Sequence, residues 1–233
     1  MTILLAIEGA DGVGKHTAAY NVQEDLRTLG IHAAVISFPR YRSTVGGVAL
    51  GEFLAGRTPV PVSAQAAAVL YALDRMESIE VVERARADSQ VVILDRYIAS
   101  NMAYQASKVP RDEADALMRW IWELETSTFQ IRPPDLSVYL AAPTDQAQEL
   151  ILRKDTRSYT ERKYDEHEAD LALQELVRYH YQALASSSDF GPWCIVQATQ
   201  NDGMRPPKAI SAEIVLAIQD RFSLGSEQRR LIA

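Results

Sequence analysis

The nine residues from Gly9 to Thr17 have the types and spacing of a loop that holds phosphate groups. They read Gly-Ala-Asp-Gly-Val-Gly-Lys-His-Thr and match the pattern G-x-x-x-x-G-K-[ST] in full. The glycines let backbone N–H groups curve around phosphates, Lys15 bridges the outer phosphates, and the Thr17 hydroxyl binds magnesium. The motif predicts binding of ATP with Mg²⁺, and a Gly-rich turn without a ligand is the alternative. The expected ATP contacts are Asp11, Gly12, Val13, Gly14, Lys15, His16 and Thr17.

A second pair of charged residues follows another apolar run. Val92-Ile93-Leu94 leads into Asp95-Arg96-Tyr97, and such a strand end lies at the edge of a parallel sheet where ligands bind. Asp95 can act through a magnesium-bound water or orient an acceptor phosphate, and the planar guanidinium of Arg96 can hold that phosphate. Both residues are therefore candidates for catalysis together with Lys15. A structural ion pair is the alternative.

The chain around these motifs alternates short apolar runs with helical patterns. Residues 2–8 form a continuous apolar run, as in a buried parallel strand, and the residues after the loop have helical spacing. Further apolar runs lie at 32–38, 91–94, 136–142 and 193–198, and further helical stretches lie near 63–88, 98–130, 144–153 and 165–187. This alternation predicts an α/β fold, with a parallel sheet covered by helices on both faces.

Composition limits the classes of function. With 233 residues, of which 47% are apolar, the chain can form one core, so we expect one domain over 1–222 and a loosely held tail over 223–233. The net charge of -7 argues against a broad nucleic-acid surface. We found no leader pattern and no apolar run long enough to cross a membrane. The single Cys194 suits a reducing compartment, so we expect a cytoplasmic protein that binds no membrane.

Five segments occur in the order found in thymidylate kinases, and the chain resembles the actinobacterial members most. The segments are Ile7 to Lys15, Phe38-Pro39-Arg40-Tyr41, Leu73-Asp74-Arg75, Asp95-Arg96-Tyr97 with Ser100-Asn101, and Pro134-Asp135-Leu136. The resemblance runs from residue 3 to about residue 200. It implies a P-loop nucleoside monophosphate kinase fold and transfer of the γ-phosphoryl group of ATP to dTMP, giving dTDP for dTTP synthesis. It also implies a homodimer packed through helices.

The resemblance further implies residues that bind dTMP. Tyr71 takes the place of the aromatic residue that stacks on thymine, and Arg75 and Asn101 take the places of groups that hydrogen-bond the base edge. From spacing alone, Tyr71 also fits a core position, and Asp74 with Arg75 also fits a solvated pair. The other residues expected at dTMP are Asp11 near the sugar 3′-hydroxyl, Tyr104 near the 2′ position, Tyr41 and Arg96 near the phosphate, and Phe38, Pro39, Arg40, Ser100 and His167.

A basic segment at about 153–163 has five bases against two acids. A charge run alone also fits a solvated face. The resemblance implies a lid that closes on ATP, with Arg153 and Arg157 on the transferring phosphoryl group. The expected metal residues are Asp11, Thr17, Asp95, Asp165 and Glu168.

Two positions depart from the family pattern. His16 stands where the related enzymes carry Arg, so the charge supplied there becomes partial and pH-dependent near neutrality. His167 stands where Tyr is usual. Two alternative functions remain at this point: another nucleoside or nucleotide kinase, since Tyr71 suits any base, and a P-loop switch ATPase that binds a partner protein. Release of ADP that depends on a nucleoside monophosphate separates a kinase from a switch.

Overall fold

A computed structural model describes residues 2–143, 170–187, 189–200 and 203–224. Within these ranges, five parallel strands form one sheet in the order β2-β3-β1-β4-β5. The strands are β1 (Ile3–Glu8), β2 (Ala33–Ser37), β3 (Val91–Asp95), β4 (Leu136–Ala141) and β5 (Trp193–Gln197). Two further short strands, β6 (Thr199–Gln200) and β7 (Gly203–Met204), pair antiparallel. The predicted α/β class with a parallel sheet is therefore confirmed.

Helices connect the strands. They are α1 (Lys15–Thr28), α2 (Val45–Leu54), α3 (Ala64–Met76), α4 (Ile79–Asp88), α5 (Ile98–Ala106), α6 (Arg111–Glu123), α7 (Leu171–Ser186) and α8 (Pro207–Phe222). A π-helical turn, Leu124–Thr128, follows α6 directly. In the part of the chain that the structure describes, no helix has the length and apolar character needed to span a membrane.

The long helical stretches predicted near 63–88 and 98–130 were wrong in extent. The first divides between α3 and α4 at Ser78, whose hydroxyl donates a hydrogen bond to the carbonyl of Asp74 at 2.7 Å. The second divides before α6 because Pro110 cannot continue the preceding helix. The predicted stretch at 144–153 and residues 165–169 lie outside the described residues.

Helices α2 and α8 were not predicted. Helix α2 contains three glycines, which lower helix propensity. Packing explains Gly46, because a Cβ there would lie 2.5 Å from the backbone nitrogen of Asp74. The close approach of α2 to α3 therefore requires a glycine that sequence propensity counts against a helix.

The strand register places three functional segments side by side. Strands β1, β3 and β4 are buried along their whole length. Asp95 at the end of β3 pairs with Ile7 of β1 and with Ser37 of β2. The phosphate loop, the segment after Asp95 and the segment after Ser37 therefore begin at the same edge of the sheet.

Candidate active site

The phosphate loop joins β1 to α1 through backbone conformations that favour glycine. Gly9 has φ 148°, and a Cβ there would lie 2.9 Å from the carbonyl oxygen of Leu140. Gly14 has φ 87° and precedes the first residue of α1. Because Gly14 has no side chain to cap the helix and the first turn carries no acid, the positive end of α1 suits a phosphate.

Lys15, the first residue of α1, is buried, and its Nζ donates a hydrogen bond to the carbonyl of Ala10 at 2.6 Å. This bond holds the ammonium group against the phosphate loop. Thr17 lies in the same first turn and is exposed. The structure thus brings together the predicted phosphate and magnesium residues of the motif.

Asp95 lies beside this loop. Its Oδ2 is 3.2 Å from Nδ1 of His16 and accepts a hydrogen bond from the Ser37 hydroxyl at 3.3 Å. Burial acts to raise the pKa of Asp95, but the His16 hydrogen bond and the charges of Lys15 and Arg96 outweigh burial and lower the pKa below its ordinary value. Asp95 is therefore an ionised carboxylate at the ligand edge of the sheet.

Arg96 has a left-handed backbone with φ 67°, which is uncommon for a residue with a side chain. The turn is held on both sides, since the Arg96 N–H donates to the carbonyl of Ile7 at 3.1 Å and the Tyr97 N–H donates to Oε1 of Glu8 at 2.9 Å. A strained conformation that its surroundings fix in this way is typical of functional sites. The Arg96 guanidinium forms an ion pair with Asp11, in the phosphate loop.

The Asp11 carboxylate accepts several hydrogen bonds. Its Oδ2 accepts from the Tyr104 hydroxyl at 2.5 Å and from Nε2 of Gln174 at 3.2 Å. Gln174 also accepts from the Asp11 N–H at 3.0 Å, so it binds both the backbone and the side chain. Burial and the Asp11 charge raise the pKa of Tyr104 well above its ordinary value, so its hydroxyl remains a donor. Gln174 was not predicted, since no motif surrounds it.

Glu8, the last residue of β1, is buried. It accepts hydrogen bonds from the hydroxyls of Ser100 at 2.8 Å and Tyr181 at 3.0 Å, and burial raises its pKa. The Ser100 hydroxyl is thus engaged inside the protein, and a contact between Ser100 and an acceptor nucleotide stays a prediction.

A second buried cluster contains Arg75, Asn101 and Glu125. Arg75 donates from Nε and Nη2 to the two oxygens of Glu125, both at 2.5 Å. The amide nitrogen of Asn101 donates to Oε1 of Glu125 at 2.9 Å and to the carbonyl of Ala68 at 3.0 Å. Within the described part of the chain, Oδ1 of Asn101 is buried and has no hydrogen-bond partner.

The structure excludes one of the alternatives that the sequence left open. Asp74 and Arg75 are not a solvated pair, because both are buried and each bonds to other residues. Asp74 accepts from the Arg40 N–H at 3.0 Å and from the Thr44 hydroxyl. Glu125 was not predicted, because its role depends on a partner 50 residues away in sequence.

The other residues predicted to bind dTMP lie in the segment after β2 and on α3. Phe38 is buried and is followed by a cis peptide bond to Pro39, and the Arg40 guanidinium donates to the Ser78 hydroxyl at 3.1 Å. Tyr71 is half-buried and lies one turn before Arg75 on α3, and Tyr41 is also half-buried. Their contacts with a nucleotide stay predictions.

Part of the predicted site lies outside the described residues: the basic segment at 153–163, residues 225–233 of the tail, and the site residues Arg153, Arg157, Asp165, His167 and Glu168.

Comparison with known proteins identifies the family. A sequence model of thymidylate kinases matches residues 7–204. The chain belongs to the thymidylate kinase family. It is 33% identical over 202 residues to a thymidylate kinase of Mycobacterium tuberculosis, covering 86% of this chain and 94% of that protein. It is 29% identical over 221 residues to the Leifsonia xyli enzyme, covering 94% and 95%. The resemblance to thymidylate kinases is therefore confirmed, including the similarity to actinobacterial members.

A solved structure agrees at the level of the fold. The thymidylate kinase of Candida albicans matches with a TM-score of 0.72 and 22% identity, over 94% of this chain and 92% of that one. The parallel sheet and its helices are thus those of the family.

Proposed function

We propose that this chain phosphorylates dTMP to dTDP with ATP and Mg²⁺, as a homodimer in the cytoplasm. ATP-dependent phosphorylation of dTMP is the reaction of the family to which the chain belongs. The structural observation that carries the choice of acceptor is the buried cluster of Arg75, Asn101 and Glu125, which combines fixed donors with one unpartnered acceptor.

On the ATP side, the loop and Lys15 stabilise negative charge on the phosphates. Backbone N–H groups at the start of α1 and the Lys15 ammonium act where charge shifts during transfer. Thr17 and Asp95 supply a hydroxyl and an ionised carboxylate, and Mg²⁺ commonly takes one or two such oxygens besides waters and phosphates. When bound there, the metal would supply positive charge beside the phosphates of ATP. Asp11 fits this role less well, because its oxygens already accept from Arg96, Tyr104 and Gln174.

On the dTMP side, the residues need only orient the acceptor phosphate and neutralise its charge. The second pKa of a phosphate monoester is about 6, so the attacking oxygen of dTMP is already ionised at neutral pH and needs no general base. Arg96 is well placed to hold that phosphate, since its strained backbone and its ion pair with Asp11 fix the guanidinium at the edge of the phosphate loop.

The base edge is read by matched hydrogen bonds. Thymine presents O4 as an acceptor and N3–H as a donor. Arg75 has only donors and Asn101 has the unpartnered Oδ1, so the pair matches thymine. Cytosine presents an amino donor in place of O4 and an acceptor at N3, so both contacts would fail. Tyr71, one turn from Arg75, would stack on the ring.

Other parts of the proposal rest on the sequence. Arg153 and Arg157 would bring positive charge onto the transferring phosphoryl group, Asp165 and Glu168 would add carboxylates near the metal or the acceptor, and His167 would lie near dTMP.

Exposed apolar side chains on α2, Val45 and Val48, are consistent with a helix-packed dimer.

A coupled assay of ADP release, run with ATP and Mg²⁺ in the presence and absence of dTMP, tests this function. We expect steady release that requires dTMP, and identification of dTDP as the product completes the test. Release at the same rate without any nucleoside monophosphate would indicate a switch ATPase and would contradict the proposal.

A further inference from the structure

Glu125 occupies an unusual place in the fold. It lies in the π-helical turn Leu124–Thr128, and its side chain is 0% exposed. The turn is closed by the Phe129 N–H, which donates to the carbonyl of Leu124 at 2.9 Å. π-Helical turns are rare, and many occur at functional sites. The turn therefore holds an ionisable group inside the protein at a defined position.

The Glu125 carboxylate binds two groups that the proposed function assigns to the base. Both of its oxygens accept from Arg75, and Oε1 also accepts from the side-chain amide of Asn101. The hydrogen bonds from Arg75 alone would be enough for Glu125 to neutralise the buried guanidinium. The hydrogen bond from Asn101 is additional, and it holds the amide whose oxygen, Oδ1, has no partner in the described part of the chain.

These contacts fix the orientation of the Asn101 amide. The Ala68 carbonyl and the Glu125 Oε1 both accept hydrogen bonds here, so the NH₂ group of Asn101 must face them. A planar amide then directs its oxygen elsewhere. A flip of the amide would place Oδ1 against two acceptors and lose both hydrogen bonds, so the two partners together select one orientation.

We propose that Glu125 is a positioning residue for base selection: it holds the Asn101 amide with Oδ1 available to N3–H of thymine and fixes the Arg75 donors for O4. This inference rests on the proposed function. Without the Glu125 carboxylate, only the Ala68 carbonyl selects the orientation of the Asn101 amide, so a larger fraction of molecules presents the NH₂ group. That orientation matches the N3 acceptor of cytosine, so discrimination between the two bases decreases.

The test is the ratio of kcat/KM for dTMP to kcat/KM for dCMP in wild type and Glu125→Gln. Glutamine has nearly the same shape, but its amide can donate to Oδ1 of Asn101 and so permits the flipped orientation. A mismatched polar contact in a binding site changes discrimination by about tenfold or more. We expect the ratio to fall by about tenfold, through a higher KM for dTMP and a lower KM for dCMP.

Two further variants keep the test decisive. Glu125→Asp retains the charge but is one methylene shorter, so it cannot reach both partners; its ratio should also fall, and it serves if Glu125→Gln does not fold. In Asn101→Ala, adding Glu125→Gln should lower the ratio by less than it does in wild type, since the effect on N3–H acts through Asn101 and only the effect on the Arg75 donors remains. Ile218→Ala, which truncates a buried residue of α8, is the control for lost stability and should leave the ratio unchanged.

The inference and the proposed function fail in different ways. If wild type shows dTMP-dependent turnover, but the ratio in a folded Glu125 variant equals that of wild type while the melting temperature falls, Glu125 is only a counter-charge and the inference is wrong. If wild type shows no turnover with dTMP, the proposed function itself is wrong.

Discussion

Replacing Glu125 by alanine would leave the Arg75 guanidinium buried without its counter-charge. The side chains of Arg75 and Glu125 are 2% and 0% exposed, and two hydrogen bonds of 2.5 Å join them. A hydrogen bond to a charged group contributes about 1.5–3 kcal/mol, so losing two costs about 3–6 kcal/mol. Measured losses for one partner of a buried ion pair are about 3–5 kcal/mol. We therefore expect Glu125→Ala to lower the free energy of unfolding by about 4 kcal/mol.

The chain offers a matched control on its surface. Glu52 and Arg57 also form a two-bonded pair, with both distances 2.8 Å, but their side chains are 50% and 49% exposed. Water and salt screen such a pair, so it contributes little to stability. Glu52→Ala should therefore change the free energy of unfolding far less than Glu125→Ala does, with the same loss of one carboxylate.

Urea unfolding followed by circular dichroism gives both values under the same conditions. Because only the Arg75–Glu125 pair is removed from water, the Glu125→Ala loss should be several times the Glu52→Ala loss. Equal losses would show that the buried pair contributes no more than a solvated one. In that case, Arg75 and Glu125 would not behave as an ion pair that is removed from water.

Further predictions concern three other side chains. Lys15→Ala should keep the fold but lower kcat by orders of magnitude, because its charge acts on the shifting phosphate charge; near-normal turnover in the folded variant would remove Lys15 from the mechanism. Tyr104→Phe keeps the ring but loses the hydroxyl that donates to the phosphate loop, so kcat/KM for dTMP should fall by about five- to tenfold, and an unchanged value would contradict its role. Burial lowers the pKa of His180, Arg111 lowers it further and Asp115 opposes this. The unfolded chain then binds more protons, so stability should decrease as the pH falls below about 6.5; denaturant unfolding should show a flatter pH profile for His180→Asn, and an identical profile would refute this.

The sequence is most informative where the deciding interactions are local. The phosphate loop needs its glycines because Gly9 and Gly14 have positive φ, and the motif records that requirement directly. Strand ends are also local signals. The observed strand β3 ends at Asp95, one residue beyond the predicted run, and the edge of the sheet lies where the charged residues begin.

Long-range contacts explain what the sequence alone does not reveal. Gln174 binds Asp11 across 163 residues, and Tyr181 binds Glu8 across 173. Neither residue has a distinctive pattern around it, since both face the core from an ordinary amphipathic helix. The position of Glu125 depends on a π-helical turn, which the period of an α-helix does not predict.

Charge pairing shows the same limit. The sequence places Asp95 next to Arg96, which suggests that the two pair with each other. In the structure, Asp95 lies against His16, and Arg96 pairs with Asp11. Arg96 has a left-handed backbone at this point, and no local pattern in the sequence indicates that conformation.

The most direct test of the account is kcat/KM of the wild-type protein for dTMP, dUMP and dCMP, measured by ADP release under the same conditions. We expect dTMP to be the best acceptor. dUMP should be poorer by a modest factor, since the missing methyl group contributes about 1 kcal/mol. dCMP should be poorer by about ten- to a hundredfold, because Arg75 and Asn101 both meet the wrong partner on its edge. Equal values for dCMP and dTMP would contradict the assignment of dTMP as the acceptor that this site selects.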